Sequence, residues 1–485
     1  MASFYLLIKD YIQRKISKNG VLRMDKKANV ESFGYKQELK RSLSVRDLVT
    51  FGIVFMAPVS SMTLFGIMSL SSQGHNFLSY VFGFIAVLFT ALSYGKMVKA
   101  YPIAGSTYSY TQRAVNPKLG FLAGWVMLLD YFLIPMLLYV VSANFANALF
   151  PAIPVWGWVL IYLIPVTIIN LIGVEVAAKV NFMITGLMII AIFAFVFAGV
   201  KFALTGAIEG VFPLKAIYNP ATFSWGGIIA GSVLAISSYL GFDAITTLSE
   251  EVDGTSEKIS KAIIIACVIE TVIYLSVAYI GSLVVPDFNS FNNPDTAFFD
   301  ITLKVGGAAL QMCVTLVIAI SGASTAMAGQ SAASRLLYGM GRDNLIPAKF
   351  FAYLHPKYKT PTYSVLFMGL VGGIGALTLS MGTLAEMVTF GGLFGFTCVN
   401  LSVINHYFIK NKSGKIIGHV LFPLFGMIIC AFILLGMSPL AKIVGFSWMG
   451  IGILYLVIRS VFSKDFQGLL ETNSMINPEE TLEAS

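Results

Sequence analysis

The stretch SYLGFDAITTLSEE (238–251) puts a carboxylate, Asp243, two residues after Gly241 at the end of an apolar run. A second acid, Asp130, sits in the middle of GWVMLLDYFLIPMLLY, with no Lys or Arg within four positions to pair with it along a helix. A third, Glu270, interrupts ACVIETVIYL. In hydrocarbon an ionised acid costs roughly 3 kcal/mol on insertion scales, so each needs a reason to be there. A carboxylate in such a place can hold a cation, carry a proton or pair with a polar group of another helix. Burial favours its neutral form and a bound cation its ionised form, so Asp243 alone can couple proton and cation binding. A plainer role, capping the helical segment that follows it, is compatible with this. Asp130 has the same two readings, a cation site or a pair with another helix. For Glu270 a second proton site, a partner for another helix and an interfacial position stay open. Tyr131 and Tyr239 put phenols and ring faces beside two of these acids, and aromatic faces attract ammonium groups.

The elements that must position these groups follow from composition. Of 485 residues, 57% are hydrophobic and 12% charged, where a soluble chain carries about 25% charge. Apolar runs long enough to span a bilayer fall at about 45–71, 78–100, 118–148, 155–173, 177–204, 225–250, 260–285, 306–338, 362–380, 385–408, 418–437 and 441–462. Lipid obliges all twelve to be helices. If the N-terminus is cytoplasmic, 28 of the 32 Lys and Arg fall on the cytoplasmic side, leaving Lys201, Lys215, Lys304 and Lys442 outside. The positive-inside rule therefore predicts a multi-pass inner (plasma) membrane protein with both termini cytoplasmic. The same count removes nucleic acid as a partner, because the net charge of +8 is spread over helix ends. No cleaved signal peptide is expected in the first 40 residues.

Catalytic signatures are missing from the sequence. It has no GxxxxGK[ST], no HExxH and no GxSxG, and its four His and four Cys lack metal-ligand spacing. The expectation is a protein that is not an enzyme and needs no cofactor or metal, with secondary transport as the leading class. A channel would show a pore ring or filter repeat, and neither is found.

Two of the twelve runs are interrupted. In the first, Met56-Ala57-Pro58-Val59-Ser60-Ser61 removes a backbone donor at Pro58. In the sixth, the chain opens near Tyr239-Leu240-Gly241. If 45–204 and 225–408 are two five-helix halves of inverted topology, the breaks fall at equivalent places, the sequence mark of a transporter's central site. That divides the chain into a cytoplasmic segment 1–44, repeats 45–204 and 225–408, two extra helices at 418–462 and a cytoplasmic tail 463–485.

PIAGSTYSYTQRAVNPKLGFLAGW (102–125), LGFDAITTLSEE (240–251) and SRLLYGMGRDNLIPAKFFAYLHPKYKTP (334–361) resemble signatures of the amino acid–polyamine–organocation permeases, over about residues 40–460. Within that superfamily the chain looks most like bacterial proton-driven putrescine importers. The resemblance implies a five-plus-five inverted-repeat fold with helices 1 and 6 broken, and a small organic cation as substrate. It places Asp130 along the substrate cavity. The first break lacks the glycines and free amides with which amino acid permeases hold a substrate carboxylate, although Ser60 and Ser61 can still donate. The substrate site expected on these grounds comprises Ala57, Pro58, Ser60, Ser61, Asp130, Tyr131, Tyr239, Gly241, Asp243 and Ser324, with Asp243 and Glu270 as proton-coupling candidates. Glu250 and Glu251 with Arg335 and Arg342 are expected as an inner gate, or else as solvated interface charges. By fold analogy Phe390 is expected as an outer aromatic lid, hinged at Gly391-Gly392. The reading is proton-driven import of putrescine or a related polyamine by alternating access. Its rivals are an amino acid permease or exchanger of the same fold and a nutrient sensor that binds without transport.

Overall fold

The computed structural model describes residues 43–103, 106–172, 174–207, 213–252, 255–291, 293–342 and 344–462. The N-terminal segment up to residue 42 and the tail 463–485, both expected to be cytoplasmic, lie outside the described residues.

Among the described residues twelve helices of spanning type follow one another: α1 (Val45–Met56, resuming as Ser60–Thr63 and Phe65–Ser71), α2 (Asn76–Ala100), α3 (Pro117–Leu149), α4 (Val155–Ile172), α5 (Val174–Phe202), α6 (Trp225–Tyr239), α7 (Glu257–Val284), α8 (Ala297–Arg342), α9 (Thr362–Thr378), α10 (Met381–Val403), α11 (Phe422–Leu435) and α12 (Pro439–Phe462). Counted with the 3₁₀ and π turns that continue them, as in Trp225–Leu248 and Ile417–Leu435, eleven spans among the described residues are long and apolar enough to cross a membrane, and α9, with 17 residues, is at the lower end of the spanning range. The protein is an all-α, multi-pass membrane protein. Gly307 (φ 71°) kinks α8, so its spanning part begins where the apolar run was placed, near 306. A short buried helix, Ser106–Ala114, which the apolar pattern did not mark, lies between α2 and α3.

Local chemistry fixes the helix starts. Ser44 and Asp47 form a reciprocal capping box on α1. Asn116 caps α3 ahead of Pro117, and Ser224 caps α6 through the Gly227 N–H. Burial sorts the helices into centre and rim. In α3, 94% of the most apolar window is buried, against 17% in α4 and in α12. The rim helices instead expose Phe182, Phe193, Phe197, Leu370 and Ile443, the side chains a lipid-facing surface requires. At the centre α3 packs between α8 and α10, while α7 lies along α2 and α1. Trp125 of α3 and Trp448 of α12 stack and each donates its indole N–H to the other's carbonyl, which fastens the last helix to the core.

The loops after α2, α6, α8 and α10 meet at one end. Tyr101 reaches His406, Lys99 pairs with Glu257 and Arg335 pairs with Glu251 there. This end carries Arg113, Lys118, Lys349, Lys359, Lys410 and Lys415 and is called the basic end below.

Candidate functional site

Pro58 carries no N–H, so Val54 O loses the donor that a continuous helix would supply. Thr325 Oγ1 of α8 takes its place at 3.2 Å. The chain turns at Ala57 (φ 52°, ψ 99°), and the Ser60 N–H bonds Ala57 O at 2.8 Å instead of Met56 O. Met56 O is left for the phenol of Tyr274 in α7, 2.9 Å away.

In α6 the turn is made at Gly241, at φ 115°, which L side chains rarely adopt. A Cβ there would also lie 2.0 Å from the Phe55 ring of α1, so glycine is required both by conformation and by the approach of the two broken helices. The Phe242 N–H turns back to Tyr239 O, and Ser238 O is met by the same Tyr274 phenol at 2.8 Å. Beyond the break an α-helical second half was expected. The chain resumes instead as a 3₁₀ run, Asp243–Leu248. Thr246 and Thr247 bond Asp243 O and Ala244 O, both at 2.6 Å, and such local hydroxyl bonds compete with the α ladder. Asp243 is the first residue of this run and not its cap, which is Phe242. Its Oδ1 accepts the Gly241 N–H behind it at 3.3 Å, so the side chain closes the break.

Asp243 Oδ2 accepts a hydrogen bond from Tyr131 of α3 at 3.3 Å. Asp130, the residue before Tyr131, is close enough for its charge to act on that of Asp243. Both acids are 1% exposed, and Asp130 Oδ1 has no hydrogen-bond partner among the described residues. Among the described residues neither acid forms an ion pair. Gly391 of α10 lets the backbones meet here, since a Cβ on it would lie 2.8 Å from Asp130 Cβ.

A cavity of about 650 Å³ reaches from the basic end to this point. Its walls include Met127, Tyr131, Asn170 and Thr247, and its mouth carries Glu250, Glu251, Arg335 and Arg342. Arg335 of α8 pairs at 3.5 Å with Glu251, in the turn after the 3₁₀ run. Tyr131 lines the cavity while Asp130 and Asp243 do not, so the phenol stands between the open space and the acids.

Other expected residues go elsewhere. Tyr239 turns to α7 and not to Asp130 and Asp243: its hydroxyl bonds Thr271 of α7 at 3.0 Å, and its ring packs on Tyr80 and Tyr274. Phe390 is no lid over the acids. Its ring is buried against Gly445 and Phe446 of α12, because helical periodicity turns Gly391, not Phe390, toward α3. Gly391 is correspondingly a close-packing position inside continuous helix and not a hinge. Glu270 is fully buried on α7, near the breaks but away from the cavity. Ser324 is buried in α8, next to Thr325, which reaches the first break. Tyr274 and Thr325 went unnoticed in the sequence. Lone hydroxyls in apolar helices carry no signal until the orphaned carbonyls they serve are known.

The amino acid permease family model matches residues 54–461. The chain belongs to the amino acid permease family. Members of this family are transporters within the amino acid–polyamine–organocation superfamily, so the chain is not an enzyme. It is 32% identical over 440 residues to the low-affinity putrescine importer PlaP of Escherichia coli (strain K12), spanning 88% of this chain and 95% of that protein. It is also similar to the branched-chain amino acid permease BcaP of Bacillus subtilis (strain 168), at 24% identity over 88% of this chain and 94% of the relative. The methylthioribose transporter of the same organism is 28% identical over 76% of this chain and 81% of its own length. All three relatives are transporters of small molecules.

Proposed function

We propose that this permease imports a small organic cation, putrescine or a related polyamine, together with protons and by alternating access. The observation that carries this reading is the pair of buried carboxylates, Asp130 and Asp243, which have no cationic partner among the described residues. Two acids in low dielectric cannot both stay ionised unpaired; a proton or a bound ammonium group must neutralise them. A diamine offers an ammonium group to each. At the first break Pro58 donates nothing and Ser61 bonds back to Pro58 O, which disfavours a substrate carboxylate. Asp243 alternates between proton and cation, with Glu270 as a second proton site.

In the same reading the two inverted halves are 45–204 and 225–408, with α11 and α12 outside them. The basic end faces the cytoplasm of a bacterial inner membrane, both termini included. Arg335–Glu251, with Glu250 and Arg342, forms the inner gate, and Tyr131 is the last barrier before the acids. Ala57, Pro58, Ser60, Ser61 and Ser324 form the wall of the site opposite Asp243.

Uptake of labelled putrescine into proteoliposomes, with and without an inward proton gradient, tests the proposal. Gradient-driven uptake, competed by polyamines and not by a panel of amino acids, is the expected result. Competition by neutral or branched-chain amino acids would establish the second reading, an amino acid permease or exchanger, which the likeness to BcaP favours.

A further inference from the structure

We propose that Tyr274 and Glu270 of α7 form a proton-operated latch across both helix breaks. Its role in a transport cycle rests on the reading above, but the latch itself concerns only this chain's own groups. The Tyr274 phenol has one proton and two main-chain acceptors within reach, Met56 O at 2.9 Å and Ser238 O at 2.8 Å. These are carbonyls that the breaks leave without their helical donors, one from α1 and one from α6. A single hydroxyl therefore ties the two broken helices to each other and to α7. The neighbouring phenols do different work: Tyr80 contacts Ser238 Oγ at 3.2 Å and Tyr239 donates to Thr271 Oγ1 at 3.0 Å.

Glu270 lies one turn before Tyr274 on α7. It is fully buried, its carboxylate is alongside the phenol, and among the described residues neither oxygen makes a hydrogen bond of good geometry. The titratable groups facing it are Tyr80 from α2, Tyr239 from α6, and Cys267 and Tyr274 from α7. Among the described residues no Lys, Arg or His pairs with it. Tyr274 is thus the donor best placed to answer a charge on Glu270. A bond to a carboxylate is roughly twice as strong as one to a neutral carbonyl. When Glu270 loses its proton, the phenol swings its own proton to the carboxylate and lets go of Met56 O and Ser238 O. When Glu270 is neutral, the phenol proton returns to the carbonyls and the breaks are held. One proton leaves Glu270 in each release, and the phenol keeps its proton throughout.

Hydrogen exchange of the full-length protein in lipid nanodiscs, without substrate, tests this. Peptides covering 53–60 and 236–243 are compared between about pH 5 and about pH 9 after correction for intrinsic exchange, a window that spans ordinary and buried carboxyls. The wild type is expected to lose protection at both breaks as pH rises, by about fivefold, the effect of one net hydrogen bond. Glu270→Gln, which keeps shape without the titration, should stay protected at both pH values. Tyr274→Phe, which deletes only the hydroxyl, should expose both breaks at every pH. A wild type without pH dependence, a Glu270→Gln variant that retains it, or a Tyr274→Phe variant altered at one break or neither would each overturn the latch. Because no substrate is present, failure of putrescine uptake leaves this result untouched.

Discussion

The two helix breaks solve one problem with different materials. In α1 the interruption is made by Pro58 and by Ala57 in a left-handed conformation, and helix resumes within three residues. In α6 it is made by Gly241, and the chain goes on as a 3₁₀ run that starts with a carboxylate. The orphaned carbonyls Met56 O and Val54 O of α1 are met by hydroxyls from α7 and α8, so that break carries no charge. The break in α6 carries charge: its carboxylate is held by main-chain N–H groups of the break, Gly241 at 3.3 Å among them, and by the Tyr131 phenol at 3.3 Å, with no cation paired to it among the described residues. One break is thus a wall of acceptors and the other a charge awaiting a counter-ion, an asymmetry suited to a cationic substrate and poorly suited to a carboxylate.

Breaking the charged side should have the larger effect. Asp243→Asn is expected to reduce proteoliposome uptake by at least about a hundredfold, since truncating one partner of a buried charge pair costs roughly 3–5 kcal/mol. Full activity would remove Asp243 from the site. Gly241→Ala adds a Cβ to a strained φ and into the Phe55 ring, and should lower stability by at least about 2 kcal/mol, read as a fall in melting midpoint in detergent. Adding Phe55→Ala should recover the steric part and leave the conformational part, which tells the two causes apart. Tyr131→Phe removes a hydrogen bond to a carboxylate, worth about 1.5 kcal/mol, and should weaken apparent substrate affinity by about tenfold while the fold stays intact. The smallest effect has the opposite sign. Ala57→Gly relieves a positive φ at the neutral break and should raise the melting midpoint slightly, by the equivalent of about 0.5 kcal/mol after the entropic cost of glycine. If Ala57→Gly destabilises, the turn at α1 is held by side-chain packing and the two breaks are more alike than described.

Hydrophobic run length was enough to find all twelve helices, most of them within a few residues of their observed ends, because a bilayer leaves the backbone no alternative. It did not find the Ser106–Ala114 helix, which is short and polar and owes its order to burial against α3. The acids Asp130, Asp243 and Glu270 were legible for the same reason as the helices, since charge in hydrocarbon demands a purpose. Side-chain direction was not. Tyr131 and Tyr239 each adjoin a break or an acid in sequence, yet Tyr131 meets Asp243 and Tyr239 turns to Thr271. Phe390 packs on α12 while its neighbour Gly391 meets α3, because a step of one residue rotates a side chain by about 100° around the helix.

By itself, then, the sequence determined that this chain is a bundle of membrane helices, which two of them are broken and which carboxylates stand in the apolar interior. Those are consequences of composition and local backbone chemistry, and they need no knowledge of neighbours. Tertiary structure alone decided who answers each unsatisfied group: Thr325 for Val54 O, Tyr274 for Met56 O and Ser238 O, Tyr131 for Asp243. A hydrogen bond between residues more than a hundred positions apart depends on how helices cross and rotate against one another. No local pattern in the chain encodes that geometry.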